Sequence, residues 1–281
     1  MKYYDLLKFG SKHLKSKNIS SYNLDSELLL AKLLNSSREQ ILINLNNEVD
    51  DKFLIPYKRL IFRRKKNEPV AYLIKKKEFW NFNFLVNKDV LIPRPETEIL
   101  VDQSLKLINN KKSCMILDVG TGSGCIIISI LKERPNCRAT AIDISRKAIK
   151  IAKFNAKMHH LENKIKFLNI DIDKFLFNKY DFIISNPPYI KKFNIKRLED
   201  NVKNFEPYLA LEAGIDGFRE IYKLILKSKL ILKRNGKLIF EIGENQEKYS
   251  KVLLKNNGFY INKICKDIQF KSRAIVSTKI I

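Results

Sequence analysis

The tetrapeptide Asn186-Pro187-Pro188-Tyr189 is the part of the chain whose residue types most clearly suggest a chemistry. A nitrogen conjugated to a carbonyl group or a ring is a weak nucleophile, because its lone pair is delocalised. The side-chain oxygen of Asn186 and the main-chain oxygen of Pro187 can accept its two N–H bonds, while Tyr189 offers a flat face for stacking. The pattern predicts orientation of a planar NH2 group towards an activated methyl group. The alternatives are a core tyrosine and a purely structural Pro-Pro turn.

A second segment has the form of a nucleotide-binding turn. The apolar run 116–119 leads into Gly120-Thr121-Gly122-Ser123-Gly124, and an apolar helix follows. Glycines let a ligand approach the backbone, and the first turn of a helix presents unpaired N–H groups. Asp143 ends the next apolar run, 19 residues after Gly124, where its carboxylate can accept hydrogen bonds from ribose hydroxyls. We expect these residues to bind a nucleotide-like cofactor.

Asp171 and Ile172 follow the third predicted strand of the sheet. Asp171 could meet the edge of an adenine while Ile172 packs on its ring, or Asp171 could simply cap the next helical turn. Glycine turns of this form also bind dinucleotide cofactors, so the turn alone leaves an oxidoreductase open. Residues 186–189 favour group transfer to nitrogen instead.

These residues require a sheet to hold them. After Pro95, apolar runs alternate with helical segments, which predicts an α/β fold with a Rossmann-like, doubly wound, mostly parallel sheet. The segment between the last two expected strands is too short for a long helix. This spacing predicts that the two strands form an antiparallel hairpin at the sheet edge. The expected strands are 114–119, 138–142, 165–168, 180–185, 236–242, 260–265 and 274–277.

Residues 1–66 show helical periodicity without strand alternation, and they predict four short helices. Ser36 and Glu39 have the spacing of a capping box, which predicts the start of one helix. This part of the chain is therefore expected to form a small helical bundle.

Aromatic and β-branched residues at 79–86 predict a β-hairpin, with a turn near Asn87-Lys88-Asp89. The change of pattern on either side of it sets the expected domain boundaries. The expected divisions are a helical domain at 1–77, a β-hairpin linker at 78–95 and the α/β domain at 96–281.

The composition is that of a globular protein. Hydrophobic residues make up 45% of the chain and charged residues 30%. Polar residues interrupt every apolar run before the roughly 18 residues that a membrane span needs, and residues 1–5 do not resemble a secretory signal. We expect a cytoplasmic protein with no membrane partner. The four cysteines lack CxxC spacing, and His159 and His160 are adjacent, so we expect no metal site.

The formal net charge of +24 would attract nucleic acid or a ribonucleoprotein. Genome composition could also produce it, because the chain is rich in Lys, Asn and Ile and the basic residues are scattered. Direct nucleic-acid binding is thus open but not required, and we expect a monomer.

A third motif, Leu91-Ile92-Pro93-Arg94-Pro95-Glu96-Thr97-Glu98, narrows the interpretation. Together with residues 120–124 and 186–189, it resembles the signature of the peptide chain release factor N5-glutamine methyltransferases, a family of class I methyltransferases. The resemblance spans nearly the whole chain. Further matching segments are Arg63-Arg64, 68–73, Glu78-Phe79, 205–207 and Asp216-Gly217.

The resemblance implies a seven-stranded class I methyltransferase sheet, S-adenosylmethionine as cofactor, and the glutamine of the Gly-Gly-Gln loop of class 1 release factors as substrate. It implies that the helical domain helps to dock the factor. It also implies that residues 120–124, Asp143, Ile172 and Asn186 line the cofactor pocket, and that residues 186–189 hold the glutamine.

Some positions depart from the family pattern or keep two interpretations. The family often has an aromatic residue where this chain has Ile172, and glycine where it has Lys75. Arg94, Glu96 and Glu98 could line the substrate mouth or pin the following helix, where acidic residues favour the helix dipole.

Two other functions compete with this interpretation. A nucleic-acid N6-adenine or rRNA methyltransferase would share Asn186-Pro187-Pro188-Tyr189, but segment 92–98 and the absence of a separate base-recognition domain favour a protein substrate. A catalytically idle binding module would not need Asn186 and Tyr189 intact.

Overall fold

A computed structural model describes residues 1–176 and 179–280, which divide into two compact units. Residues 1–76 and 199–205 form the first unit, and the remaining described residues form the second. The sequence pattern does not indicate that 199–205 returns to the first unit. The helices are α1 (Tyr3–Lys15), α2 (Tyr22–Leu33), α3 (Arg38–Ile43), α4 (Leu54–Lys65), α5 (Val70–Ile74), α6 (Glu98–Leu107), α7 (Cys125–Glu133), α8 (Arg146–Met158), α9 (Asp200–Lys203), α10 (Arg219–Ile231) and α11 (Glu247–Asn256).

The first unit contains the four predicted helices, α1 to α4, and also the short α5. Polar groups cross its core: the Tyr57 hydroxyl lies 2.7 Å from Ser26 Oγ, and Arg64 forms a buried ion pair with Asp25 at 2.6 Å. Helix α1 passes so close to them that a Cβ at Gly10 would lie 2.3 Å from the Tyr57 hydroxyl. The apolar core consists mainly of Leu6, Leu14, Leu29, Leu30, Ile41 and Ile61.

Two local features of this unit differ from expectation. Helix α3 starts one residue later than predicted: Ser37 is its N-cap, and Ser37 and Gln40 form the capping box in place of Ser36 and Glu39. Glutamine serves because its side-chain oxygen reaches back to the Ser37 N–H at 3.2 Å. Lys75 adopts the left-handed conformation with φ 56° and ends α5, so the turn expected of a glycine forms with lysine.

The second unit begins with the predicted hairpin and continues with a seven-stranded sheet of order β5-β4-β3-β6-β7-β9-β8. The first five of these strands run parallel, and β9 pairs antiparallel with both β7 and β8, which confirms the expected edge hairpin. The strands are β1 (Lys77–Phe79), β2 (Phe82–Phe84), β3 (Met115–Val119), β4 (Arg138–Asp143), β5 (Ile165–Asn169), β6 (Tyr180–Ser185), β7 (Leu232–Glu241), β8 (Phe259–Lys266) and β9 (Ser272–Lys279).

The hairpin turns earlier than predicted. Trp80 and Asn81 connect β1 to β2 with φ 50° and 60°, the geometry whose twist matches two-residue hairpins. The segment at Asn87-Lys88-Asp89 is a separate turn, in which the Asn87 side chain accepts the Asp89 N–H at 2.9 Å. Because both strands are only three residues long, a two-residue connection closes the hairpin before residue 87.

Apolar side chains on both faces of the seven-stranded sheet pack against helices, which leaves the strand ends for polar side chains. In the described ranges 1–176 and 179–280, no helix combines the length and apolar character required to cross a membrane.

Candidate active site

Strand pairing brings the predicted cofactor-binding and catalytic residues to one edge of the sheet. Val119, the last residue of β3, pairs with Ile142 of β4 on one side and with Ser185 of β6 on the other. The Ser185 hydroxyl also donates to the Val119 carbonyl oxygen at 2.8 Å. Residues that follow these three positions therefore leave the sheet side by side, at its carboxyl edge.

A cavity of about 210 Å³ opens at this edge. Tyr189 and Gly124 do not line it, although the sequence predicts sites there; each directly follows a lining residue in the sequence. The predicted residues that do line it are Arg94, Gly120, Thr121, Gly122, Ser123, Asp143, Asp171, Ile172, Asn186, Pro187 and Pro188.

The glycine-rich turn presents open backbone to this cavity. Gly120 has φ 71°, and a Cβ built on it meets no atom within 4 Å, so the space beside it is free for a ligand. Gly124 has φ 81° and is the N-cap of α7, where a Cβ would lie 3.0 Å from Ile128 and 3.3 Å from Ala152. One glycine exposes the backbone, and the other lets α7 pack closely against α8.

Asp143 supports the same turn from the neighbouring strand. Its Oδ2 accepts the Gly122 N–H at 2.9 Å, and its Oδ1 accepts the Ser145 N–H at 2.8 Å. Burial raises the pKa of Asp143, while the two N–H groups act in the opposite direction. Each carboxylate oxygen keeps a lone pair for a further donor.

Asp118 is a functional candidate that the sequence analysis missed. It is fully buried before the glycine turn, and its Oδ2 accepts the Thr121 hydroxyl at 2.6 Å. Its Oδ1 is buried without a hydrogen-bond partner among residues 1–176 and 179–280. Burial raises the pKa of Asp118 to about 7. A carboxyl group inside the apolar run 116–119 was the signal that could have identified it.

The side chain of Asn186 is held by a chain of hydrogen bonds. Its Nδ2 lies 3.0 Å from Thr97 Oγ1, and Thr97 donates to Glu241 Oε2 at 2.7 Å. The Tyr189 hydroxyl donates to the other Glu241 oxygen at 3.1 Å. Burial raises the pKa of Glu241 to about 7, and burial beside this carboxylate also raises the pKa of Tyr189.

Sequence reasoning did not single out Thr97 or Glu241. A signal for Glu241 was present, because an acidic residue inside the apolar strand pattern 236–242 requires buried partners.

Tyr189 is held at two points. Its hydroxyl points at Glu241, and its main-chain oxygen accepts a hydrogen bond from Gln246 at 3.3 Å.

Arg94 and Glu98 both make structural contacts. Arg94 forms an ion pair with Glu206 at 2.5 Å, and the second oxygen of Glu206 accepts the Ile92 N–H at 3.1 Å. Glu98 accepts the Trp80 N–H at 2.9 Å and so ties the hairpin to the start of α6. Arg94 also lines the cavity.

On the far side of the cavity, Asp171 caps the turn 172–174 by accepting the Asp173 N–H at 2.9 Å. Ile172 is only 6% exposed, whereas Ile144 and Leu209 line the cavity and are 52% and 62% exposed. These two apolar side chains, which the sequence analysis did not select, offer more surface to a flat ring than Ile172.

The described part of the chain contains no cluster of three or more His, Cys, Asp or Glu side chains that could hold a metal ion. The four cysteines are free thiols. The polar groups around the cavity include carboxylates, hydroxyl groups, the Asn186 carboxamide and the guanidinium groups of Arg94 and Arg219.

Family models match both parts of the chain. The model described as PrmC N-terminal domain matches residues 5–74, and the model described as Methyltransferase small domain matches residues 96–202. A methyltransferase from Pyrococcus furiosus is similar in fold, with a TM-score of 0.54 at 16% identity, covering 80% of this chain and 99% of that one.

Curated relatives give the closer similarity. A bifunctional methyltransferase of Rickettsia felis is 37% identical over 98% of this chain, but the chain spans only 58% of that protein's length. A release factor glutamine methyltransferase of Clostridium acetobutylicum is 37% identical, and the alignment covers 99% of each chain. The chain belongs to the release factor glutamine methyltransferase family.

Proposed function

We propose that this chain transfers a methyl group from S-adenosylmethionine to the side-chain amide nitrogen of the glutamine in the Gly-Gly-Gln motif of class 1 peptide chain release factors. The observation that carries the proposal is the position of Asn186. Its carboxamide lines the cavity beside the glycine turn, and its nitrogen is already engaged by Thr97. Membership of the family supports the choice of glutamine as substrate.

The residues around the cavity fit S-adenosylmethionine. The open side of Gly120 admits a ligand against the backbone, and Asp143 retains acceptor capacity for ribose hydroxyls. Ile144 and Ile172 provide apolar surface for an adenine ring. When bound, the cofactor supplies a methyl group activated by a sulfonium centre.

Asn186 and Pro187 prepare the substrate nitrogen. The Asn186 Oδ1 and the Pro187 carbonyl oxygen accept the two N–H bonds of the glutamine amide, which sets the plane of that amide. With both N–H bonds held, the lone pair faces the methyl group. The nitrogen gains a bond to carbon and then releases one N–H proton to water, because an N-protonated amide is a very strong acid. The catalytic contribution is therefore orientation and preorganised electrostatics, and it requires no strong base.

We assign docking of the release factor to the helical unit, with the chain acting as a monomer. Its exposed apolar side chains include Ile43 and Ile55, which are 81% and 63% exposed. Single exposed apolar side chains are ordinary on protein surfaces, so the support for this assignment is the match of residues 5–74 to the PrmC N-terminal domain. The substrate loop would then enter the cavity of the second unit.

The test is co-expression of the chain with a class 1 release factor, followed by mass spectrometry of the peptide that contains Gly-Gly-Gln. We expect one added methyl group on the glutamine, and none with the Asn186→Ala variant or with a release factor whose glutamine is replaced by alanine. A parallel incubation with DNA and ribosomal RNA tests the rival that the charge of +24 favours. Methyl groups found only in nucleic acid would refute the proposal.

A further inference from the structure

We propose that Thr97 and Glu241 are positioning residues that determine which end of the Asn186 carboxamide faces the substrate. This inference rests on the proposed function, because it concerns how Asn186 accepts a hydrogen bond from an NH2 group. A carboxamide turned by 180° would present its own NH2 group and repel that substrate. The reaction therefore requires a device that prevents the turn.

The hydrogen bonds that link Asn186, Thr97 and Glu241 have a fixed direction, which is set by the carboxylate of Glu241. An ionised carboxylate can only accept hydrogen bonds, so both Thr97 and Tyr189 donate to Glu241. Thr97 has one hydroxyl proton, and it uses this proton in the hydrogen bond that it donates to Glu241. Only the lone pairs of Thr97 Oγ1 remain for the Asn186 side chain.

The end of Asn186 that lies 3.0 Å from Thr97 must consequently be its NH2 group. The opposite end, Oδ1, has no hydrogen-bond partner within residues 1–176 and 179–280. Since Asn186 lines the cavity, this free acceptor is available to the substrate. The carboxylate thus fixes the polarity of an amide two hydrogen bonds away.

The hydrogen-bonded side chains of Thr97 and Glu241 are also held in place by the fold. Thr97 and Glu241 are each only 3% exposed, so both partners are shielded from bulk solvent. Glu241 ends β7 and pairs with Ala274 of β9, and Thr97 lies at the start of α6. The two residues are 144 positions apart in the sequence, and a hydrogen bond of 2.7 Å joins them.

The ionisation of Glu241 controls which group donates and which accepts in each of these hydrogen bonds. The charged groups that act on it are Arg273, which favours the carboxylate, and Glu96, which opposes it, and Arg94 and Arg273 act on its partner Tyr189. A protonated Glu241 could donate to Thr97, which would then donate to Asn186 Oδ1 and stabilise the turned carboxamide. Turnover is therefore expected to fall as the pH drops below about 7.

The activity test compares the kcat of three variants in the steady state, with saturating release factor and S-adenosylmethionine. Thr97→Val removes the hydroxyl but keeps the shape, and we expect kcat to fall by about tenfold or more, the effect of one unmade buried hydrogen bond. The affinity for S-adenosylmethionine should change by less than about twofold. Thr97→Ser should restore most of kcat. The matched variant is Thr278→Val, at a half-buried threonine that donates to Asn262 at 2.6 Å and does not line the cavity, and it should keep the wild-type kcat.

Glu241→Gln supplies the second arm. A carboxamide can present either its oxygen or its NH2 group to Thr97, so kcat should be lower and should lose its dependence on pH between 6 and 8. Wild-type kcat in a folded Thr97→Val protein, or an unaltered pH profile in Glu241→Gln, would overturn the inference.

An activity-independent measurement separates this inference from the proposed function. In isotopically labelled wild-type protein at pH 8, nuclear Overhauser effects should connect the Asn186 side-chain NH2 protons to the Thr97 methyl group. Thr97→Ser cannot show that contact, but its Asn186 NH2 resonances should keep their hydrogen-bonded shift, whereas Thr97→Val should lose it. Wild-type protein without the contact would refute the positioning role, even if the release factor is methylated. The contact without methylation would refute only the proposed function.

Discussion

The two hydrogen bonds of Asp143 allow one substitution to be worked out in detail. In Asp143→Asn, the side chain keeps its shape but offers one acceptor oxygen in place of two. It can satisfy the Gly122 N–H or the Ser145 N–H, and its NH2 group faces the other. The variant should therefore keep its fold and bind S-adenosylmethionine more weakly.

The magnitude follows from the number of bonds lost. A hydrogen bond to a charged group is worth about 1.5 to 3 kcal/mol. Asp143→Asn replaces a charged acceptor of the ribose hydroxyls with a neutral carboxamide, which predicts a Kd for the cofactor raised by about tenfold to a hundredfold. Asp143→Ala removes both acceptor oxygens and should weaken binding further.

Isothermal titration of each variant with S-adenosylmethionine measures this effect without a release factor. Asp173→Asn is the matched control, because Asp173 is an exposed carboxylate whose nearest cation is Lys223 at 3.2 Å. It should bind the cofactor as wild type does. If Asp143→Asn is folded and its Kd stays within about twofold of wild type, Asp143 is not a cofactor ligand.

Three further predictions concern stability and are measured by chemical denaturation. Gly10→Ala should lower the free energy of unfolding by about 2 kcal/mol, because the new methyl group overlaps Tyr57. Arg94→Ala should lower it by about 2 kcal/mol, because it leaves the Glu206 carboxylate buried and unpaired. The pKa of Glu241 rises from 4.5 to about 7 on folding, so its contribution to the free energy of unfolding is complete below pH 4.5 and is lost as the pH rises through 7. The wild-type free energy of unfolding should therefore fall over this pH range, and Glu241→Gln should reduce that fall by up to about 3 kcal/mol.

Each of these predictions has a control. Lys12→Ala lies on the exposed side of the same helix as Gly10 and should change stability by less than about 0.5 kcal/mol. The double variant Arg94→Ala with Glu206→Ala should recover part of the loss if the unpaired charge is its cause. A wild-type stability that is level between pH 5 and 8 would contradict the argument for Glu241.

The sequence predicts the parts of this fold that depend on neighbouring residues. Apolar runs identify the strands to within a few residues, and the glycine-rich segment identifies the turn at Gly120 because its φ of 71° suits glycine. Parallel pairing then brings Asn186 and Asp143 to the same edge without further information. The assigned roles of these residues at the site stay predictions.

The parts that the sequence did not predict depend on contacts between distant residues. Thr97 and Glu241 lie 144 positions apart, and Arg94 and Glu206 lie 112 apart, so no local pattern connects them. The hairpin turn at Trp80-Asn81 has no glycine to mark its positive φ angles. Its position is set by the pairing of β1 with β2.

The return of residues 199–205 to the helical unit limits how the protein can be dissected. A fragment that starts at residue 77 would still carry α9, but without residues 1–76 with which α9 is grouped. Within that group, the Asn67 side chain donates to Asp200 at 3.4 Å. Exchange of the helical unit between relatives therefore needs three junctions, and a chimera joined only at residue 77 would combine one parent's helices with the other parent's α9.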